Sequence, residues 1–240
     1  GNGTLFKDIE RTAQILPNFV ENANVKLIEI NKELRKIQKK NLKYFRQSKI
    51  KWSKTLNFRS KLPSIIYSNE FFDCFPVRQF LLKDKWFERY VSYNKNENNY
   101  FIKEKLVNNS KILSILNSYN KEKILEISFE RNKYFEKICK FIKKNGGLVF
   151  TIDYGYFENN RNFTLQAIQN HKKIHIFDNI GAKDISSHVD FKHFIKIAYK
   201  YNLNIDECCS QREFLIKYGI LERSKLLNLS KNSKDLERLI

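Results

Sequence analysis

The chain has 240 residues and a formal net charge of +19 at pH 7, from 45 Lys and Arg against 26 Asp and Glu. Hydrophobic residues make up 42% and aromatics 14%, too much apolar surface for a disordered chain. No apolar run approaches the roughly 20 residues of a membrane-spanning helix. The sequence holds no methionine and opens on Gly1-Asn2-Gly3, which predicts a fragment or a cut chain. The length suits one domain with a real core.

In chain order, Gly1 to Leu5 reads as a small-residue turn, and Leu5 to Leu16 as a helix stopped by Pro17. Val25 to Ile30 is a short apolar run carrying the acid Glu29 near its end, the pattern of a buried strand. Asn31 is placed to cap a helix from Lys32 to about Gln47, with Leu34, Ile37 and Leu42 facing inward. Lys51-Trp52 marks a short strand, and Pro63 to Ser68 a second buried one. From Lys83 to Asn120 the chain turns polar. Trp86 to Val91 alternates like an antiparallel strand, so residues 84–120 read as an insertion or a hairpin-bearing lid. Phe129 to Lys144 is a helix with Phe135, Ile138 and Phe141 in register, closed by Gly146-Gly147. Leu148 to Asp153 is a third buried strand, again ending in an acid. Asp190 to Tyr201 and Gln211 to Tyr218 read as helices. Strands alternating with helices predict an α/β fold with a mostly parallel sheet. No repeat or linker divides the chain, so residues 1–240 read as one domain.

The charge alone does not indicate nucleic acid. Lysines are spread along a chain rich in Asn, Ile, Phe and Tyr, the residues that an AT-biased genome favours, and KELRKIQKK has the spacing of a solvated helix face. A Lys-lined groove with stacking aromatics would be needed to reverse that. Cys74, Cys139, Cys208 and Cys209 form no CxxC pair, which predicts reduced, mostly buried thiols. His171, His175, His188 and His193 lie close in sequence, and His171 and His175 have i,i+4 spacing, but no HExxH context surrounds them, so no metal is expected.

Three strands end in polar residues: Glu29, Asn69-Glu70 and Asp153-Tyr154-Gly155. In open parallel sheets ligands bind outside the carboxyl ends of the strands. A glycine turn opening a helix lets backbone approach a ligand, and an acid at the next strand end suits a ribose diol. That pattern fits a nucleoside cofactor without separating NAD from S-adenosylmethionine.

Ser68-Asn69-Glu70-Phe71-Phe72-Asp73-Cys74-Phe75-Pro76-Val77 resembles the NEFFDALPV signature of the MidA family. Gly3-Thr4-Leu5 with Asp8 resembles its GxGTLxxDxxR loop. Leu27 to Ile30, with Leu34-Arg35 and Gln38, resembles VEISPxLRxxQ. Ile152 to Tyr156 resembles IDYGY, Thr164 to Ala167 resembles TLQA, and Asp184 to Phe191 resembles DLTAHVDF. Ser210-Gln211, Phe214-Leu215, Gly219-Ile220 and Glu222-Arg223 resemble TQxxFLxxLGIxER. The order is kept over nearly the whole chain.

The resemblance implies a class I, Rossmann-like methyltransferase that uses S-adenosylmethionine. Family members in mitochondria methylate an arginine of a complex I subunit during its assembly, which implies a protein substrate. The compartment implied is the bacterial cytoplasm, or the mitochondrial matrix in a eukaryote. Gly1 and Gly3 fall in the cofactor loop, Glu29 at the ribose, Trp52 or Ser53 beside the adenine, and Asn69 at the cofactor. Glu70 or Asp73 is the carboxylate for a guanidinium. His188 and Asp190 come second, as substrate contacts or a proton path, with a structural histidine the competing reading of His188. The sequence departs from the family before Thr164, at Ile180-Gly181 and at Arg212. The family's first strand and half of its glycine loop precede the position of Gly1, so the expectation is a first strand missing from this chain, either carried by a separate one or cut off by truncation of the sequence. An inactive split or truncated remnant is the alternative, and a basic nucleic-acid binder a weaker one.

Overall fold

The computed structural model describes residues 1–16, 18–43, 50–56, 60–119, 123–158 and 162–228. They form two compact units, Gly1–Ser60 and Lys61–Ile240.

The first unit runs α1 (Thr4–Ala13), α2 (Phe19–Asn22), β1 (Val25–Ile28), α3 (Lys32–Asn41) and β2 (Ile50–Ser53). The first helix stops at Ala13, short of the expected Leu16, and Pro17 lies outside the described residues. β1 and β2 pair in parallel from Val25↔Ile50 to Ile28↔Ser53, as a strand–helix–strand unit requires. Asn31 caps α3, its side chain accepting from the Glu33 and Leu34 amides. The helix ends at Asn41, and the expected extension to Gln47 falls outside the described residues. Its inward face differs from the expected stripe. Leu42 is buried, Ile37 is exposed, and Gln38 lies inside instead.

The second unit holds β3 (Ser64–Asn69), β4 (Arg78–Leu82), β5 (Trp86–Asn94), β6 (Asn99–Leu106), α4 (Ser110–Asn117), β7 (Ile124–Ile127), α5 (Phe129–Asn145) and β8 (Gly147–Ile152). It continues with β9 (Gly155–Tyr156), β10 (Gln166–Gln169), β11 (Lys172–Ile174), β12 (Asp184–Ser186), β13 (Val189–Asp190), α6 (Phe191–Lys200), α7 (Gln211–Lys217) and α8 (Ile220–Asn228). β3 and β8 pair in parallel along six residues, Ser64↔Gly147 to Asn69↔Ile152, and Ser68 Oγ meets Thr151 Oγ1 across them at 3.0 Å. α5 is the crossover that brings the chain back to the start of β8. It is capped by Ser128 and closed by Gly146 at φ 79°, with Phe135, Ile138 and Phe141 buried as its spacing predicts.

The polar middle is a four-stranded antiparallel sheet in the order β6-β5-β4-β7. It reaches beyond residues 84–120 on both sides, to Arg78 and Ile127. One face carries its own core of Phe80, Trp86, Val107, Leu116, Leu125 and Ile127. β10, β11 and β12 form a three-stranded antiparallel sheet that the sequence pattern did not predict. β9 and β13 pair in parallel. Gly155 is required there: a Cβ would lie 2.4 Å from the Val189 carbonyl oxygen and 2.5 Å from the Phe191 ring. Of the four thiols only Cys139 is buried, while Cys74 and Cys208 are exposed. The expectation of mostly buried thiols is therefore corrected, because neither exposed cysteine stands on a core-facing position of a helix or strand.

Candidate functional site

In the first unit, Gly1, Gly3, Glu29 and Ser53 gather at the carboxyl end of β1 and β2. Gly3 precedes α1 at φ 93°, a left-handed conformation that glycine adopts without strain. The turn is held from α3. Gln38 Nε2 donates to the Gly1 carbonyl at 2.8 Å, and Asn41 Nδ2 donates to the Asn2 carbonyl at 3.0 Å. Trp52 Nε1 donates to Gln38 Oε1 at 3.0 Å, so one buried amide ties the turn to β2. The Glu29 amide donates to the Ser53 carbonyl at 3.0 Å. Glu29 Oε1 accepts from the Asn31 amide at 2.8 Å, and Oε2 lies 3.7 Å from the Gly1 nitrogen. A helix N-terminus beside a strand-end carboxylate fits the donor and acceptor needs of a nucleoside cofactor: amides for an anionic group, the acid for a ribose diol. Ser53 Oγ is engaged locally, with the amide and carbonyl of Thr55.

In the second unit, Asn69, Glu70 and Asp73 lie on the loop that leaves β3. Glu70 has φ 47°, a costly conformation for a residue with a side chain. Three contacts hold it. The Glu70 amide donates to the Ile152 carbonyl at 2.9 Å. Asp153 Oδ2 then accepts from the next two amides, Phe71 at 3.1 Å and Phe72 at 2.7 Å. Asp153, which the strand-end pattern placed in the cleft, is thus a brace. Burial pushes its carboxyl up to about 6, against the pull of those amides. Phe72 is fully buried and meets the rings of Phe135 and Phe194 at 5.9 and 5.0 Å, so the loop is anchored on α5 and α6. Glu70 and Asn69 remain exposed. Asp73 is buried, and its carboxyl is raised first by burial, then by the Glu70 charge, with Arg131 opposing.

Arg131, in the first turn of α5, was not identified from the sequence. It is 4% exposed. Its Nε donates to the Phe72 carbonyl at 2.7 Å, Nη1 to the His188 carbonyl at 2.8 Å, and Nη2 to Ser187 Oγ at 2.6 Å and the Ser187 carbonyl at 3.3 Å. The Ser187 amide donates to the Asp73 carbonyl at 2.9 Å. One guanidinium therefore ties the Glu70–Asp73 loop to the segment that carries His188, as the fixed fork of Arg allows. Burial lowers its pKa, and Asp153, Glu126, Tyr156 and Asp73 oppose that.

Glu126, also not identified, is the second fastening. Its carboxylate accepts from the Thr164 amide at 3.2 Å, the Thr164 hydroxyl, the Leu165 amide at 3.3 Å and Gln79 Nε2 at 2.7 Å. The His188 amide donates to Thr164 Oγ1 at 2.8 Å. His188 is half-buried and lines a groove of about 480 Å³ with Thr164, Gln166 and His175. Asp190 caps α6, accepting from the His193 amide at 2.8 Å. The structure thus places Asn69, Glu70 and Asp73 on one loop, which Arg131 ties to the segment carrying His188, in one unit, and Gly1, Gly3, Glu29 and Ser53 together in the other. Gln38 enters through its motif alone, without its role at the glycine turn, whereas nothing local marks Glu126 or Arg131, whose partners at Thr164 and Phe72 stand 38 and 59 residues away. Among the described residues no group of three or more His, Cys, Asp or Glu side chains is disposed to hold a metal ion, and no helix is long and apolar enough to cross a membrane.

Comparison with known proteins gives the family. A protein 30% identical over 196 residues, 80% of this chain, is the Caenorhabditis elegans "Protein arginine methyltransferase NDUFAF7 homolog, mitochondrial". The Drosophila melanogaster protein of the same name is 24% identical over the full chain. The chain spans about half the length of these curated relatives, 46% and 58%. A Burkholderia thailandensis protein solved with S-adenosyl-homocysteine bound superposes with a TM-score of 0.77 at 19% identity, covering 94% of this chain and 60% of that one. A native structure from the same organism gives 0.78, also at 19% identity, over 96% and 63%. These two show the fold, the mixed α/β architecture with parallel strand pairs expected from the sequence. A family model described as "Putative S-adenosyl-L-methionine-dependent methyltransferase" matches residues 1–209. On that match, and as its motifs implied, the chain belongs to this S-adenosyl-L-methionine-dependent methyltransferase family.

Proposed function

We propose that this chain carries donor- and acceptor-holding residues of a protein-arginine N-methyltransferase. One observation carries the reading: the exposed Glu70 carboxylate on a loop fixed by Asp153, Arg131 and a buried phenylalanine. The names of the two curated relatives support arginine as the acceptor. When bound, S-adenosylmethionine supplies an electrophilic methyl on its sulfonium. Gly1 and Gly3 would give it backbone room, Glu29 would accept from the ribose hydroxyls, and Ser53 would border it.

On the acceptor side, a guanidinium has a pKa above 12 and must be oriented rather than deprotonated in advance. Glu70 would accept paired hydrogen bonds from it, fixing one nitrogen for attack and holding the developing charge. Asp73, buried behind Glu70, would add negative potential. His188 would contact the substrate or take the released proton. Natural candidates for the acceptor are proteins of respiratory complex I, a reading under which the protein would work in the mitochondrial matrix of a eukaryote, or in the cytoplasm of a bacterium.

The test is methyl transfer from labelled S-adenosylmethionine by the full-length protein, with the product residue identified by mass spectrometry. Label on arginine supports the reading, and label on lysine or no label sinks it.

A further inference from the structure

The groove beside His188 has its own chemistry. Its walls come from the segment entering β10 (Phe163, Thr164, Leu165), from β11 and the residues after it (Lys173, Ile174, His175, Ile176), and from His188. At about 480 Å³ it falls within the range of ligand pockets. Charged and titratable groups in the lining are Lys173, His175 and His188, and no carboxylate lines it. Behind the Phe163 wall the Arg89 guanidinium sits 4.6 Å from the ring centroid. Glu126, bonded to that wall, is turned onto the Thr164 and Leu165 amides, the Thr164 hydroxyl and Gln79, so its charge is taken up by those donors. Lys173 makes no ion pair among the described residues. The groove is thus cationic and apolar at once.

It is also built. Lys183 Nζ donates to the carbonyls of His175 at 3.1 Å, Ile176 at 2.6 Å and Asp178, which fixes the wall after β11. The Glu126–Thr164–His188 chain fixes the opposite wall. Through the His188 carbonyl and Arg131 that wall is tied to the loop bearing Glu70.

We propose that this groove is a recognition subsite for an acidic segment of the acceptor protein, flanking the arginine that Glu70 receives. The proposal rests on the arginine reading above. It makes recognition bipartite: a carboxylate site for the guanidinium, and beside it a cationic site for the neighbouring Glu or Asp. Apolar walls at Phe163, Ile174 and Ile176 would pack against the segment inside the groove.

The experiment uses the full-length protein and two arginine peptides that differ only in having Glu or Gln next to the arginine. At low salt the Glu peptide is expected to show a KM about fivefold lower with kcat unchanged, the size that one or two rim charge pairs give. Lys173→Glu is expected to abolish that difference. Lys172→Glu, a neighbouring lysine outside the groove lining, is expected to leave it intact. Equal KM values for the two peptides in the unaltered protein, or an equal preference in both variants, would overturn the proposal. A second arm measures anisotropy of the labelled Glu peptide with alanine in place of arginine. Lys173-dependent binding without any arginine methylation would sink the arginine reading while upholding the acidic subsite, whereas methylation without a Glu preference would sink the subsite alone.

Discussion

Glu70 adopts a backbone conformation that its side chain disfavours, and the structure spends the Ile152 carbonyl and the Asp153 carboxylate on keeping it there. Strain of this kind, of order 1–3 kcal/mol, persists where surroundings over-determine it. Glu70→Gln keeps the shape and removes the charge. Expected is a fall of roughly 100-fold in kcat, with S-adenosylmethionine affinity and thermal stability nearly unchanged; single-turnover methyl transfer with calorimetry of cofactor binding checks both. Asp153 has a pH signature of its own. Its carboxyl titrates near 6 when folded, above the roughly 3.9 of an unfolded Asp. The folded state therefore holds the proton more tightly, and stability from this group is full below about pH 4 and lost as pH rises through about 6. Chemical denaturation of Asp153→Asn beside the unaltered protein should show it: the unaltered protein's stability relative to the variant falls between pH 4 and pH 6 and then levels.

Between elements, Arg131 is the joint. It links α5, the β3 loop and the segment before β13 by hydrogen bonds to three residues. Arg131→Met leaves buried carbonyls unpaired and is expected to cost about 3 kcal/mol by urea unfolding. Arg131→Lys should recover little, because one ammonium cannot reproduce the fork. The elements readable from the sequence were those with apolar runs or helical spacing between turn signals, such as Val25–Ile28, Ser64–Asn69, Phe129–Asn145 and Gly147–Ile152. The strands Gln166–Gln169, Lys172–Ile174 and Asp184–Ser186 have three or four residues each and mixed polarity. Nothing local marks them, since their pairing arises from one another. The acids of the signature loop were legible as candidates through their motif, and the supports of that loop were not. A polar residue is buried because of what it meets, and Phe72 meets Arg131 across 59 positions. Ile37 shows the converse: helical spacing placed it inward, but Gln38 occupies that side to hold the glycine turn.

At the scale of the whole molecule, the residues proposed for cofactor and for acceptor make separable demands. Glu29 stands with the glycine turn, and Glu70 with Arg131 and Asp153. S-adenosyl-homocysteine at 100 times its Kd is expected to stabilise the full-length protein by about 2.7 kcal/mol. A thermal-shift series should lose that gain in Glu29→Ala and keep it in Glu70→Gln. The parallel pairing of β3 with β8 also bears on the order in which the chain assembles. Ser68 and Thr151 touch across 83 positions, whereas β5 and β6 are joined by a short turn and pair along eight residues. Closing a long loop has to precede any gain from the contacts it makes, so distant pairings form late. Pulsed hydrogen-exchange labelling during refolding should protect the β5–β6 amides first and the β3–β8 amides last. The loop bearing Glu70 would then be the final part to set, shaped only once Ile152 and Asp153 arrive to receive its amides.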